Sequence, residues 1–239
     1  MEELIHKFKN REVKAKDIFQ IKEIEKPIAY AFIKQYHYLA DAKFFAKYCY
    51  GLYLGENLVG CSTFSNPQGI SAMKSWFGLE NSDQSVLELS RLCMLPELNG
   101  SNATSYLLGN SMKMLKSKDV NAVITLADDS RHVGSIYQVC NFKYYGLTDS
   151  KTDFYCEDGR VNPRGATKDL RGVWLPRTRK HRYCFLLGKV KVLLSEQPKP
   201  TIDKTQDYSC CSGTNIVIDK RFGKNYTCPK CTDGLKLLA

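Results

Sequence analysis

Ala122-Val123-Ile124-Thr125-Leu126-Ala127 runs apolar into Asp128-Asp129, and Gly134-Ser135-Ile136-Tyr137-Gln138-Val139-Cys140 follows after a short polar turn. The first stretch reads as a buried strand that stops at two acids, and the second as a helix led by a glycine. In an α/β sheet the carboxyl end of a strand opens onto a crevice where ligands bind, and the helix behind it begins with unpaired N–H donors. Helical periodicity puts Ile136, Val139 and Cys140 on one face and sends Tyr137 to another, toward the crevice.

Working outward, Asp17 to Ile24 reads as a first strand, and Ile28, Phe32, Ile33 and Tyr36 repeat at helical spacing from a Pro27 start. Tyr48 to Leu54 and Leu58 to Phe64, joined through Gly55-Glu56-Asn57, form a hairpin. A polar loop containing Trp76 and Phe77 leads to the alternating strand Val86 to Leu95, stopped by Pro96. Asn99-Gly100-Ser101-Asn102 turns the chain into a helix from about Ala103 to Lys118, with Leu107, Leu108, Met112, Met114 and Leu115 inward. Phe142 to Gly146, Phe154 to Cys156 and Tyr183 to Leu187 are short and strand-like. The fold class is therefore mixed α/β, a central sheet flanked by helices, with a small cysteine-bearing module at the C-terminus. The organisation read from this is a main domain over 1–194, a Pro- and Lys-containing linker over 195–206 and a tail over 207–239.

Thirty-five Lys and Arg against 25 Asp and Glu give a net charge of +10 and a pI near 9.0, which favours polyanionic partners, double-stranded DNA first. The chain has no apolar run long enough to span a bilayer and no basic start followed by an apolar segment, so a cytoplasmic location without a membrane partner is expected. Six cysteines, Cys49, Cys61, Cys93, Cys140, Cys156 and Cys184, sit singly in apolar or mixed segments and read as buried thiols. Cys210, Cys211, Cys228 and Cys231 crowd into the last thirty residues. Cys228-Pro229-Lys230-Cys231 has zinc-knuckle spacing, and four thiolates in a tail with little to pack predict a zinc-stapled module.

From Arg160 to Arg182 the chain holds Arg160, Arg164, Lys168, Arg171, Arg177, Arg179, Lys180 and Arg182 against Asp169 alone. With Trp174 and Tyr183 this Gly- and Pro-punctuated loop reads as a DNA-backbone cradle with an aromatic wedge. The Asn99-Gly100-Ser101-Asn102-Ala103 turn suits a phosphate-cradling loop at a helix start, or an ordinary helix cap. His132 reads as a loop histidine.

Tyr36-His37-Tyr38, Glu88-Leu89-Ser90-Arg91-Leu92, Asn102-Ala103-Thr104-Ser105 and Asp128 through Tyr137-Gln138, in that order and spacing, resemble the phage Mom family over about Asp17 to Gly188. The resemblance implies a GNAT-like acyltransferase fold, modification of adenine in DNA and protection of phage DNA from host restriction, in the host cytoplasm. Carried across by position, the functional residues are His37, Tyr38, Arg91, Ser105, an acid at Asp128 or Asp129, and Tyr137. The family has one more residue between its acid and the His-x-Gly element, which leaves both aspartates open; Asp128 is taken as the acid. GNAT kinship implies acyl-CoA on Asn99 to Ala103, although Glu97 and Asn102 stand where that pattern has Arg or Gln and Gly or Ala. The resemblance also leaves room for an iron ion assisted by His37 and Tyr38. Adenine N6 is a weak nucleophile that needs a positioned electrophile and a proton acceptor, and reaching it requires flipping the base out of the duplex. A conventional GNAT N-acetyltransferase acting on protein or RNA, and a non-catalytic DNA-binding protein, are the competing expectations.

Overall fold

The computed structural model describes residues 1–37, 44–68, 72–80, 83, 85–162, 170–201, 216–219 and 224–229. Its contacts divide the chain into two compact units: Met1–Leu126 with Gly134–Gly146 and Arg182–Lys199, and Ala127–Val133 with Leu147–His181 and Pro200–Ala239.

The first unit opens with α1 (Glu2–Lys9) and α2 (Ala15–Ile18), then β1 (Phe19–Glu23), α3 (Lys26–Tyr36) and the hairpin β2 (Tyr48–Leu54) and β3 (Asn57–Ser65). α4 (Ala72–Phe77), β4 (Val86–Met94), α5 (Ala103–Lys116), β5 (Ala122–Asp128), α6 (Ser135–Val139) and β6 (Lys143–Leu147) follow, and β7 (Thr152–Cys156) and β8 (Gly172–Pro176) precede β9 (Lys180–Leu186). The sheet order is β1-β2-β3-β4-β5-β9-β6. It is mixed: β1 to β4 pair antiparallel, and β4 pairs β5 in parallel. This is the mixed α/β sheet flanked by helices that the sequence predicts.

Burial explains the arrangement. Leu107, Leu108, Met112 and Leu115 on α5 are buried, and Ser111 on the same face bonds Ser62 of β3 at 2.9 Å, Oγ to Oγ. That bond gives the buried Ser62 hydroxyl a partner, while Ser111 also donates to the Leu107 carbonyl at 2.9 Å. Trp76 and Phe77, expected in a loop, lie on α4 instead and pack with Met73 against Val86, Ala122, Ile124, Tyr145 and Cys184. Cys49, Cys61, Cys93 and Cys184 are buried, as the sequence reading has them. Burial pushes the Cys184 thiol up to about 12 and the Cys61 thiol upward as well. Iodoacetamide under native conditions is therefore expected to spare Cys61 and Cys184 and to label them only after denaturation, as read by peptide mass spectrometry.

In the second unit β7 pairs β8, and a second hairpin joins β10 (Ile216–Asp219) to β11 (Lys224–Thr227). Val173 and Leu175 of β8 pack with Val217, Tyr226 and Cys228, so the described part of the cysteine tail has a core. Gly172 is fixed by close approach: a Cβ there would fall onto the Tyr155 carbonyl. Gly172→Ala is expected to destabilise this unit by about 1–3 kcal/mol, measured by thermal unfolding.

Candidate active site

The β4–β5 junction organises the first unit. Their parallel pairing runs only from Val86↔Ala122 to Glu88↔Ile124, while β4 continues to Met94 and β5 to Asp128. A bulge in β4 contributes, because Thr63 pairs Arg91 while its neighbour Phe64 pairs Leu89, leaving Ser90 as the extra residue. Arg91 donates from one guanidinium nitrogen to the Ser90 carbonyl at 2.7 Å, lies over the Phe44 ring at 5.5 Å, and has a buried Nε without a partner. His37 ends α3 with its backbone N–H on the Ile33 carbonyl. Tyr38 lies outside the described residues.

α5 starts next to a cavity of about 890 Å³ lined by Lys9, Arg11, Lys14, Gly100, Ser101, Asn102, Thr104 and Ser105, with Ser135, Ile136 and Val139 among the other walls. Ala103 N–H donates to Ser101 Oγ, and the first helical bond runs from Tyr106 N–H to the Asn102 carbonyl. The N–H groups of Thr104 and Ser105, at the open start of the helix, have no protein acceptor among the described residues. The Ser105 hydroxyl is spent on the Asn102 carbonyl at 2.9 Å. Glu97 is not among the residues lining the cavity. The three cations come from the segment before β1, which the sequence reading passed over. Its signal was the run Lys7-Phe8-Lys9-Asn10-Arg11-Glu12-Val13-Lys14, basic at nearly every second position.

α6 departs from the periodic reading. Tyr137 is 9% exposed and Val139 69% exposed, the reverse of the predicted faces. Gly134, at φ 78°, starts a helix of only five residues, too short for a 3.6 period to fix a face. Tyr137 packs its ring on Phe142 and Tyr183, at 5.7 and 5.5 Å between centroids, and Tyr144 joins Tyr183 at 5.1 Å. Gln138 Nε2 donates to the Tyr183 hydroxyl at 3.0 Å, and burial raises that phenol to about 12. Tyr183 is therefore a core residue and not the exposed wedge expected for it.

In the second unit the two aspartates part company. Asp128 Oδ1 accepts both the N–H and the hydroxyl of Ser130, at 3.1 and 2.7 Å, the bonds of a turn cap. Asp129 Oδ1 meets His181 Nε2 at 2.7 Å, with side chains 11% and 5% exposed, and Asp129 Oδ2 is buried without a partner. His181 escaped the sequence reading because fifty-two positions separate it from its partner. His132 sits near Asp128 and His181: desolvation by its surroundings lowers its pKa, Asp128 raises it and His181 lowers it further.

The basic run is less free than its composition implies. Arg177 is held by Asp153 and Arg160 by Asp158, two acids lying just before the stretch. Arg179 donates to the Thr148 carbonyl at 2.6 Å, and Arg182, in the first unit, to the Gly146 carbonyl at 3.4 Å. Arg171, Lys180 and Trp174 are exposed. Arg164 and Lys168 lie outside the described residues, as do Cys210, Cys211 and Cys231; Cys228 is buried. Among the described residues no group of three or more His, Cys, Asp or Glu is placed to hold a metal.

A sequence model of the Mom protein family matches residues 18–201. The chain belongs to the Mom protein family. No protein with a curated description matches this Mom-family chain. Among solved structures it is similar to the ribosomal-protein-S18-alanine N-acetyltransferase from Escherichia coli, at 11% identity, 74% of this chain, 99% of that one and a TM-score of 0.46. It is also similar to a GNAT family acetyltransferase from Elizabethkingia anophelis with acetyl-CoA bound, at 16% identity, 71% and 99% coverage and a TM-score of 0.45. A third is the IAA acetyltransferase from Bacillus cereus, at 13% identity, 70% and 99% coverage and a TM-score of 0.44.

Proposed function

We propose that this chain is a transferase that modifies the exocyclic N6 amine of adenine in DNA. Its membership of the Mom family over residues 18–201 carries the reading. The net charge of +10 and the exposed Arg171, Lys180 and Trp174 support DNA as the substrate.

The cavity at the start of α5 fits a donor that carries a diphosphate, the acyl-CoA class. Lys9, Arg11 and Lys14 supply positive charge there, and the open N–H groups of Thr104 and Ser105 supply donors aligned with the helix dipole. When bound, a thioester donor supplies the electrophilic carbon. The protein then has to hold the flipped base, keep water out and take the N6 proton on a carboxylate as the N–C bond forms.

The test is nucleoside mass spectrometry of DNA from cells producing the full chain. A deoxyadenosine adduct absent from cells without the protein is expected. An unaltered deoxyadenosine pool, with folded protein present, overturns the reading in favour of a binding protein or a transferase for another amine.

A further inference from the structure

The outer side of α3 carries charge and rings that the core does not use. Lys26, Tyr30 and Lys34 stand four residues apart, so they form one exposed row along the helix, while Ala29, Phe32 and Ile33 face inward. Among the described residues neither lysine enters an ion pair, and Lys26–Tyr36 holds no acid. Two acids precede the helix: Glu23 is held by Lys118 at 3.0 Å, and Glu25 is the N-cap. Tyr30 stacks on Phe44, with centroids 5.8 Å apart and planes at 23°, and the Arg91 guanidinium lies over Phe44 at 5.5 Å. This row is thereby joined to Arg91, and Lys34 stands one turn before His37, two of the residues that the Mom resemblance carries to the site. Phe45 directly follows Phe44 and is 64% exposed, the most exposed ring among the described residues. Exposed rings beside lysines with no acid between them are the composition that takes nucleic-acid backbone and bases. A second copy of this chain fits the face poorly, because a symmetric contact would bring the same lysines together.

On the transferase reading above, we propose that this face of the first unit docks the DNA strand that carries the target adenine. Lys26 and Lys34 take its phosphates as charge-assisted contacts, and Tyr30 and Phe45 offer ring faces to bases that leave the stack. Reaching N6 unstacks at least one base, so a ring waiting outside the duplex lowers the cost of holding the opened state. No bond is made or broken at this surface. Its part is to hold the strand beside His37 and Arg91.

The experiment measures binding of the purified full chain to a fluorescein-labelled duplex by anisotropy over a range of salt. Wild type is compared with Lys26→Ala/Lys34→Ala, Phe45→Ala, Phe45→Trp and an equally charged control on the exposed side of α5, Lys113→Ala/Lys116→Ala. All the substituted side chains are exposed, and thermal unfolding checks that each variant stays folded. Lys26→Ala/Lys34→Ala is expected to bind about tenfold or more weakly and to flatten the logarithmic salt dependence by about 2, one phosphate for each lysine, with the control near wild type. A duplex with one A·C mismatch, whose bases open more readily, is expected to bind wild type about fivefold tighter than a fully paired one. Phe45→Ala loses that preference and Phe45→Trp keeps it. Adduct per deoxyadenosine, in cells making equal amounts of these proteins, should fall with binding in Lys26→Ala/Lys34→Ala and Phe45→Ala. Equal losses in the two lysine double variants, or an unchanged salt dependence in Lys26→Ala/Lys34→Ala, overturn the proposal. So do variants that change the sedimenting mass and leave DNA binding intact, since the face would then join two copies. A wild type that makes the adduct, with every variant matching it in binding and adduct, overturns the surface and not the transferase reading. A wild type that binds DNA with the expected effects and leaves deoxyadenosine unaltered overturns the transferase reading and not the surface.

Discussion

Tyr183→Ala is expected to destabilise the first unit by about 3–5 kcal/mol, and Tyr183→Phe by only about 1 kcal/mol, in denaturant unfolding followed by aromatic fluorescence. Tyr183 is fully buried with its ring against Tyr137 and Tyr144, so truncation opens a cavity in an aromatic cluster. Phenylalanine keeps the ring contacts and loses the bond from Gln138. The same burial makes a prediction for alkali. Burial holds Tyr145 and Tyr183 at about 12 against an ordinary value of 10.0. A group whose folded pKa is raised contributes stability that is complete below its unfolded pKa and is lost as pH rises through the folded value. Stability should therefore fall from about pH 10 upward, with phenolate absorbance from these residues appearing together with unfolding. Phenolate absorbance preceding any loss of structure would contradict the buried placement.

How far the sequence reading reached depended on the range of the forces involved. The β2–β3 hairpin, β4, α5 and β5 were legible because alternation, Gly55 and Pro96 are local signals that burial then enforces. α4 reads as loop because six residues carry too little period, and the cluster that makes Trp76 and Phe77 core draws in Tyr145 and Cys184 from over sixty positions away. The inward face of α6 was misread for the same reason. The basic run looked unopposed within its own window, whereas Asp153 and Asp158, which pair with Arg177 and Arg160, stand just outside it. The site divided along the same line. Gly100 to Ala103 announces a helix start, and the basic run before β1 announces its charge but not the cavity it lines, whereas the Asp129–His181 pair, fifty-two positions apart, has no local signature.

The cations allow a separation of binding from folding. The Lys9→Ala/Arg11→Ala/Lys14→Ala triple variant is expected to lose about 100-fold in affinity for coenzyme A by calorimetry, from roughly 1 kcal/mol for each partly solvated charge-assisted contact. Pantetheine, which lacks the phosphates, should bind the triple variant and the wild type alike, and added salt should narrow the gap for coenzyme A. Equal losses for both ligands would mean that the segment shapes the cavity without reading charge. Arg11 sharpens the argument, because its backbone sits at φ 64°, a left-handed conformation that costs a side chain about 1–2 kcal/mol and glycine nothing. Its N–H on the Phe8 carbonyl and the Glu12 N–H on the Lys7 carbonyl close the end of α1 there. Arg11→Gly is therefore expected to raise the melting temperature while weakening coenzyme A. Opposite signs on the two measurements would show that a charged residue is kept at a glycine-favouring position for its ligand, at the expense of the fold. A variant that gained stability and bound as well as wild type would assign Arg11 no part in the donor site.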